Sequence, residues 1–196
     1  MPTGCRMERA PRFCGARFFH PLSENIGYAK LNEGIRIFFQ RVEQKMIARL
    51  FSYALNGLDG FQIDVEVDIS RGALPAYDTV GLPDAAVKES KERVRAAIKN
   101  SGFSFPLAHI TVNLAPADAR KEGSAYDLAI ALGILSASQQ VHSEVLKDAL
   151  ILGELSLNGE IRGVRGVLPM LIAARQQGVR AAILPQANVN EAICLP

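Results

Sequence analysis

Apolar and polar residues alternate without a break from Phe61 to Ser70. Phe61, Ile63, Val65, Val67 and Ile69 fall on one side, and Gln62, Asp64, Glu66, Asp68 and Ser70 on the other. A period of two over this length predicts a β-strand with one buried face. The pattern then changes. Val87, Val94, Ala97 and Ile98 recur at helical spacing and predict a helix over residues 84–100, with Pro83-Asp84 at its start and Gly102 just past its end. Residues 109–114 read as a strand, and residues 126–137 as a helix apolar on nearly every side. Residues 151–157 and 180–184 read as strands flanking a helix over 167–177, which Gly178 ends. Strands alternating with helices predict an α/β domain of two layers, a sheet and its helices.

Composition bounds this picture. A chain of 196 residues suits one domain with a real core. Its 48% hydrophobic and 21% charged residues are ordinary for a globular protein. No apolar run is long enough to span a membrane, so no membrane partner is expected. The net charge of +2 hides an asymmetry. Residues 1–45 carry eight Lys/Arg and four Asp/Glu, while the remainder carries 14 and 16. The domain proper is therefore no polycation. Arg6, Arg9, Arg12 and Arg17 lie among scattered Pro and Gly, with no apolar stretch of signal-peptide length behind them. Residues 1–45 are expected to be a poorly structured extension, and residues 46–196 the domain. Cys5, Cys14 and Cys194 show neither metal spacing nor a disulfide frame, which points to a reducing cytoplasm.

The candidate chemistry sits in Arg120-Lys121-Glu122-Gly123-Ser124-Ala125-Tyr126-Asp127, a polar loop entering the apolar helix. This loop resembles the active-site loop of Lon-type ATP-dependent proteases, which carry Gly-Pro-Ser-Ala-Gly after a Lys-Asp pair. In that alignment Ala125 stands at the serine. Gly153-Glu154-Leu155-Ser156-Leu157-Asn158-Gly159-Glu160-Ile161 resembles the strand-turn-strand that follows in Lon, and Leu168 matches the catalytic lysine. A serine nucleophile needs a base to take its proton, and neither alanine nor leucine does this chemistry. Ser124 is one residue out of register.

A longer resemblance runs from about Met46 to Glu191. Leu74-Pro75-Ala76-Tyr77-Asp78-Thr79-Val80-Gly81-Leu82-Pro83-Asp84-Ala85-Ala86-Val87-Lys88-Glu89-Ser90, with Arg71-Gly72 before it and Glu92-Arg93-Val94-Arg95-Ala96-Ala97-Ile98 after it, is similar to the N-terminal domain of the YifB/ComM family. These are Mg-chelatase-like AAA+ ATPases. Ala73 reads as an insertion in the family's turn, and Ala129 stands where proline is expected. The resemblance implies the fold shared by Lon protease domains and the second domain of a small-subunit ribosomal protein. It also implies a hexameric ring whose subunits bind ATP and Mg in a module beyond this chain, acting on branched DNA in recombination or transformation. Met46 opens a family-like start, Met46-Ile47-Ala48-Arg49-Leu50-Phe51, and reads as the natural initiator, with residues 1–45 an upstream mis-start. At the other end, residues 191–196 stop in mid-element.

Each candidate site has a bland counterpart. Ser124 and Asp127, three apart at a helix start, are expected to form a reciprocal cap rather than a catalytic pair. Asp64, Glu66 and Asp68 share one strand face, which suits a divalent metal or, more simply, solvent. His20, His109 and His142 match no metal or triad spacing. Lys88, Lys91, Arg95 and Lys99 line one side of a helix and are candidates for DNA phosphate contact, or for a solvated face with Glu89 pairing Arg93. Arg162 and Arg165, in a glycine-rich turn, are candidates for DNA or subunit contact. The chain contains no G-x-x-x-x-G-K-[ST], so it is expected to hold no ATP and no other cofactor. The resulting reading is a non-catalytic accessory domain of the ATPase family. A degenerate peptidase using Ser124 and an inert gene fragment are its competitors.

Overall fold

The alternation at residues 61–70 becomes the centre of a six-stranded sheet. The computed structural model describes residues 46–142 and 146–193. β1 (Met46–Asn56) and β2 (Asp59–Ser70) form a long antiparallel hairpin, in register from Met46 opposite Ile69 to Asn56 opposite Asp59. β3 (Ala76–Val80), α1 (Ala85–Asn100), β4 (His109–Ala115) and α2 (Asp127–Ala137) follow. Then come β5 (Ala149–Ile151), the two-residue strands β6 (Glu154–Leu155) and β7 (Ile161–Arg162), α3 (Val167–Gln176), β8 (Ala181–Ile183) and a short α4 (Val189–Ile193). The sheet order is β3-β4-β2-β1-β5-β8, while β6 and β7 pair with each other. The predicted α/β sheet-and-helix architecture is present. The expected extension at residues 1–45 lies outside the described residues.

The strand expected at residues 151–157 divides. β5 ends at Ile151 because the chain turns toward the loop before α2. There Gly153 donates its N–H to the Ala125 carbonyl at 2.9 Å and accepts from Leu128 at 3.0 Å. Glu154 and Leu155 pair with β7 instead. β3 was not anticipated, since its five residues between Pro75 and Gly81 carry little apolar alternation. Among the described residues it is an edge strand, held by β4 alone.

Two apolar clusters flank the sheet. On one face Leu50, Ile63, Val65, Val67, Ile110, Val112 and Leu114 pack with the inner residues of α1 and α2. Burying each such side chain contributes about 1.5–3 kcal/mol. Helix α2 explains its all-round apolar sequence: most of its residues are buried between the sheet and α1. Gly133 allows this approach, since a Cβ there would stand 2.7 Å from Val67 Cγ2. Tyr53 has the opposite parity to Leu50 and enters the second cluster with Leu150, Leu152, Val167, Met170 and Leu171. α3 therefore covers the reverse face at the turn end of the β1–β2 hairpin, where a Cβ on Gly60 would stand 2.7 Å from that of Ala173. The rest of that face carries Gln62, Asp64, Glu66 and Asp68.

Asp84 ties the two halves of the helical layer together. Its Oδ1 caps α1 by accepting from the Val87 N–H at 2.7 Å, and its Oδ2 accepts from the Gly123 N–H at 3.1 Å. Its backbone N–H donates to the Lys121 carbonyl at 3.0 Å. The preceding Gly81, at φ 95°, has Leu114 O only 2.1 Å from where a Cβ would lie, so no other residue fits. Asp84→Ala removes both side-chain bonds and is expected to lower stability by about 1–2 kcal/mol. Asp84→Asn keeps one acceptor and should lose about half as much in denaturant unfolding.

Candidate functional site

The loop that Asp84 holds at Gly123, the ends of β1 and β2, and the segments after β5 and β7 enclose a broad cleft of about 1160 Å³. One wall is the hairpin turn from Asn56 to Asp59 with Phe61. The second is the loop from Pro116 to Tyr126, and the third holds Glu154, Gly163, Val164, Arg165 and Met170. The loop from Gly123 to Tyr126 lies in this cleft because main-chain bonds hold it from both sides. Lys121 pairs with the turn before α1, donating its N–H to Leu82 O at 3.2 Å, and Ala125 pairs with Gly153.

Ala125, at the position of a nucleophile, lines the cleft and packs toward the second apolar cluster. Leu168 lies in the first turn of α3, where its backbone N–H donates to Glu191 Oε2 at 3.2 Å. Ser124 also lines the cleft, but the expected reciprocal cap is absent. Its Oγ donates to Glu154 Oε2, and the start of α2 has no side-chain cap. The cap fails because both side chains have stronger partners elsewhere. Glu154 in turn lies 3.8 Å from Arg162 Nη1, so Ser124, Glu154 and Arg162 form a polar chain at the cleft wall.

Asp127 is buried, with a side chain only 1% exposed, and meets Arg93 of α1. Arg93 Nε donates to Oδ2 at 2.7 Å and Nη2 to Oδ1 at 3.1 Å, a two-pronged pairing. Nη2 also donates to Ala86 O at 3.1 Å, and Oδ2 accepts from the Leu155 N–H at 3.3 Å. The expected Glu89–Arg93 pair is thus superseded. A buried carboxylate attracts the guanidinium more than an exposed one does, because little water competes for it. Burial pushes the Asp127 carboxyl above its ordinary range, while the hydrogen bonds from Arg93 pull it back. The bond to Asp127 holds the guanidinium even more firmly charged.

Lys121, matched only as a family landmark in the sequence, is wholly buried. Its ammonium donates to the carbonyls of Pro116 and, at 2.7 Å, of Ala119. Burial lowers its pKa, with nearby Asp118 acting the other way. It organises the second wall of the cleft from inside. Tyr126 is buried as well, and burial pushes its phenol up to about 12. A charged residue at the mouth of an apolar helix was the available signal for Arg93–Asp127. Nothing local marked Lys121 as interior.

The basic candidates separate into two places. Lys88, Lys91, Arg95 and Lys99 lie along α1, outside the cleft lining. Two of them rest on aromatic rings: the Lys91 ammonium is 5.7 Å from the Tyr77 ring centre and the Arg95 guanidinium 5.9 Å from that of Phe105. Arg165 lines the cleft and Arg162 stands at its wall on Glu154. The acidic face of β2 is occupied by protein partners. Arg49 bonds Asp64, Asn113 donates to Glu66 at 2.8 Å, and Ser70 donates to Asp68 at 3.0 Å. His109 pairs with Asp78 at 2.7 Å, His142 is exposed, and His20 lies outside the described residues. Among the described residues no three metal-ligating side chains converge, and no helix is long and apolar enough to cross a membrane.

Comparison with known proteins adds a lineage to this geometry. A family model described as subunit ChlI of Mg-chelatase matches residues 65–188, well over half the chain. An uncharacterized protein of Mycobacterium tuberculosis is 50% identical over 146 residues, 74% of this chain and 29% of that protein. Competence protein ComM of Haemophilus influenzae is 45% identical over 146 residues, 74% of this chain and 28% of its own length. The Escherichia coli protein YifB is 46% identical over 135 residues, covering 69% and 26%. Similarity extends to Lon protease 2 of Bacillus subtilis, at 31% over 101 residues, 52% of this chain and 18% of that protein. The chain thus spans less than a third of the length of these relatives.

Breaking the Arg93–Asp127 pair from either side should be costly. Arg93→Ala leaves a buried carboxylate unpaired and is expected to lose about 3–5 kcal/mol in denaturant unfolding. Arg93→Lys, which keeps the charge but not the two-pronged geometry, should fall between. The apolar double replacement Arg93→Met/Asp127→Leu should recover much of the loss.

Proposed function

Because the chain belongs to the family described as subunit ChlI of Mg-chelatase, we propose that it is the non-catalytic N-terminal accessory domain of a YifB/ComM-type, Mg-chelatase-like AAA+ ATPase. In this reading ATP and Mg belong to a separate motor module, and the subunits assemble as a hexameric ring. The parent motor acts on branched DNA in recombination or transformation; the name of the Haemophilus relative, a competence protein, supports the second setting. The domain supports ring assembly or guides DNA.

One observation carries the non-catalytic part. The cleft that aligns with a peptidase site has Ala125 at the nucleophile position, and the nearest hydroxyl, Ser124, is bonded to Glu154. No lysine stands at Leu168 to act as base. The Ser124–Glu154 bond also gives the competing peptidase reading its one point of support, since a carboxylate on a serine hydroxyl is an acceptor for its proton. Incubation with unfolded casein and fluorogenic peptides separates the two. Background rates are expected; turnover that disappears in Ser124→Ala would make this an enzyme.

Nucleic-acid contact is assigned to Lys88, Lys91, Arg95 and Lys99. The rings under Lys91 and Arg95 support it, because they hold two of the four cations in place before any phosphate arrives. Binding of duplex or branched DNA should be weak, with a log–log salt slope of about −3 to −4 for four phosphate contacts. Replacing all four residues by glutamine should abolish it, with only the modest fall in melting temperature that loss of the two ring contacts brings. Unchanged binding would move the contact to Arg162 and Arg165, or remove DNA from the domain's role.

A further inference from the structure

The β1–β2 hairpin is longer than the strand beside it. β4 pairs with β2 only from Asp64, opposite Ala115, to Ser70, so Asp59 to Ile63 pair with β1 alone. The turn decides which groups this leaves open. Gly57 and Leu58 form a two-residue turn, which makes Asn56 and Asp59 a hydrogen-bonded pair. By alternation Gly60 and Gln62 then direct their N–H and C=O groups away from β1, on the side where Asp64 meets Ala115. Among the described residues no other backbone group bonds them. Proteins usually blunt a free sheet edge with lysine, proline or a bulge. Here glycine leaves the backbone bare, and the Gln62 amide is turned to Asp64 at 2.8 Å. Phe61, between the two, and Pro116, which follows the last residue of β4, both line the cleft, so this edge opens into it.

The chemistry of the cleft selects its occupant. Alternating N–H and C=O groups in line along a strand are matched by another extended main chain. Ala54, Phe61 and Ala125 add apolar surface. Asp59, Asp118, Glu122 and Glu154 outnumber Arg120 and Arg165 in the lining by two, and Arg120 is held by Glu122 at 3.4 Å. That balance repels phosphate and favours basic side chains. The cleft, at about 1160 Å³, is also larger than the ~300–1,000 Å³ of most small-molecule sites. We propose that it captures an extended, basic polypeptide segment of another protein. The segment pairs with Gly60 and Gln62 as an antiparallel strand that continues the line of β4. Because the pairing is through the main chain, capture needs no nucleophile and tolerates varied sequences. This binding role goes beyond assembly and DNA contact and does not rest on either.

Fluorescence anisotropy of the full chain with short labelled peptides tests it. A peptide alternating lysine with valine should bind saturably, and its glutamate–valine counterpart about fivefold or more weakly. N-methylation of every lysine amide, or of every valine amide, removes one of the two rows of N–H groups. Only one row faces β2, so one set should cost about tenfold or more and the other much less. Asp59→Lys/Glu122→Lys, at two exposed positions, turns the excess of two carboxylates into an excess of two cations and should reverse the preference between the peptides. Thermal melts check that this variant keeps its fold. The proposal is overturned if neither peptide binds, if both methylated sets bind alike, or if the folded double variant keeps the original preference. Displacement of the peptide by an equal concentration of a single-stranded oligonucleotide would assign the cleft to nucleic acid and overturn it too. Mass spectrometry of the recovered peptide separates this role from the peptidase reading: a cut peptide ends the non-catalytic reading and leaves capture standing.

Discussion

A carboxylate that cannot reach water governs the helical layer of this domain. Asp127 stands at the start of a helix that is otherwise nearly all apolar, and only 1% of its side chain is exposed. An isolated charge there would cost several kcal/mol, so the fold must bring a cation to it. Arg93 reaches across from α1 with two hydrogen bonds and Leu155 adds a backbone N–H from β6. Three elements distant in sequence are thereby placed around one side chain. The angle between α1 and α2, and the position of β6 against them, follow from satisfying it.

The cleft is a consequence of that arrangement. The loop from Lys121 to Tyr126 is stitched to the turn before α1 by Asp84 and to the segment after β5 by Gly153. The buried Lys121 supports its far side through two carbonyls. Such a scaffold is rigid enough to position a reactive group, which is the demand a catalytic loop makes. Here it positions Ala125, and the Ser124 hydroxyl is committed to Glu154. The frame thus presents a methyl group where the resemblance to the Lon loop puts the nucleophile.

The remaining surface has a different logic. The helical face of the sheet is consumed by the core, and α3 covers the reverse face at one end only. Among the described residues, the sheet edges at β3 and β8 and the cationic side of α1 stay open. The cationic side of α1 adjoins β3, since the Lys91 ammonium lies 5.7 Å from the Tyr77 ring centre.

The sequence by itself determined the elements that depend on near neighbours. Alternation over residues 61–70 specified β2 and its inward side, and the stripe of Val87, Val94, Ala97 and Ile98 specified α1. The polar loop before α2 carried the resemblance to Lon, with Ala125 at the nucleophile position, and residues 71–98 carried the resemblance to the YifB/ComM family. These signals survive in one dimension because they arise from residues two, three or four apart. Tertiary structure decided the choice of partners. Ser124 and Asp127 have the spacing of a cap, yet the fold brings Glu154 to one and Arg93 to the other. Residues 151–157 have the composition of one strand, yet Gly153 is drawn to the α2 loop and divides it. A lysine in a polar loop reads as exposed, yet Lys121 is interior. In each case the deciding contact comes from a segment roughly thirty residues away or from burial itself, and neither leaves a periodic trace in the chain.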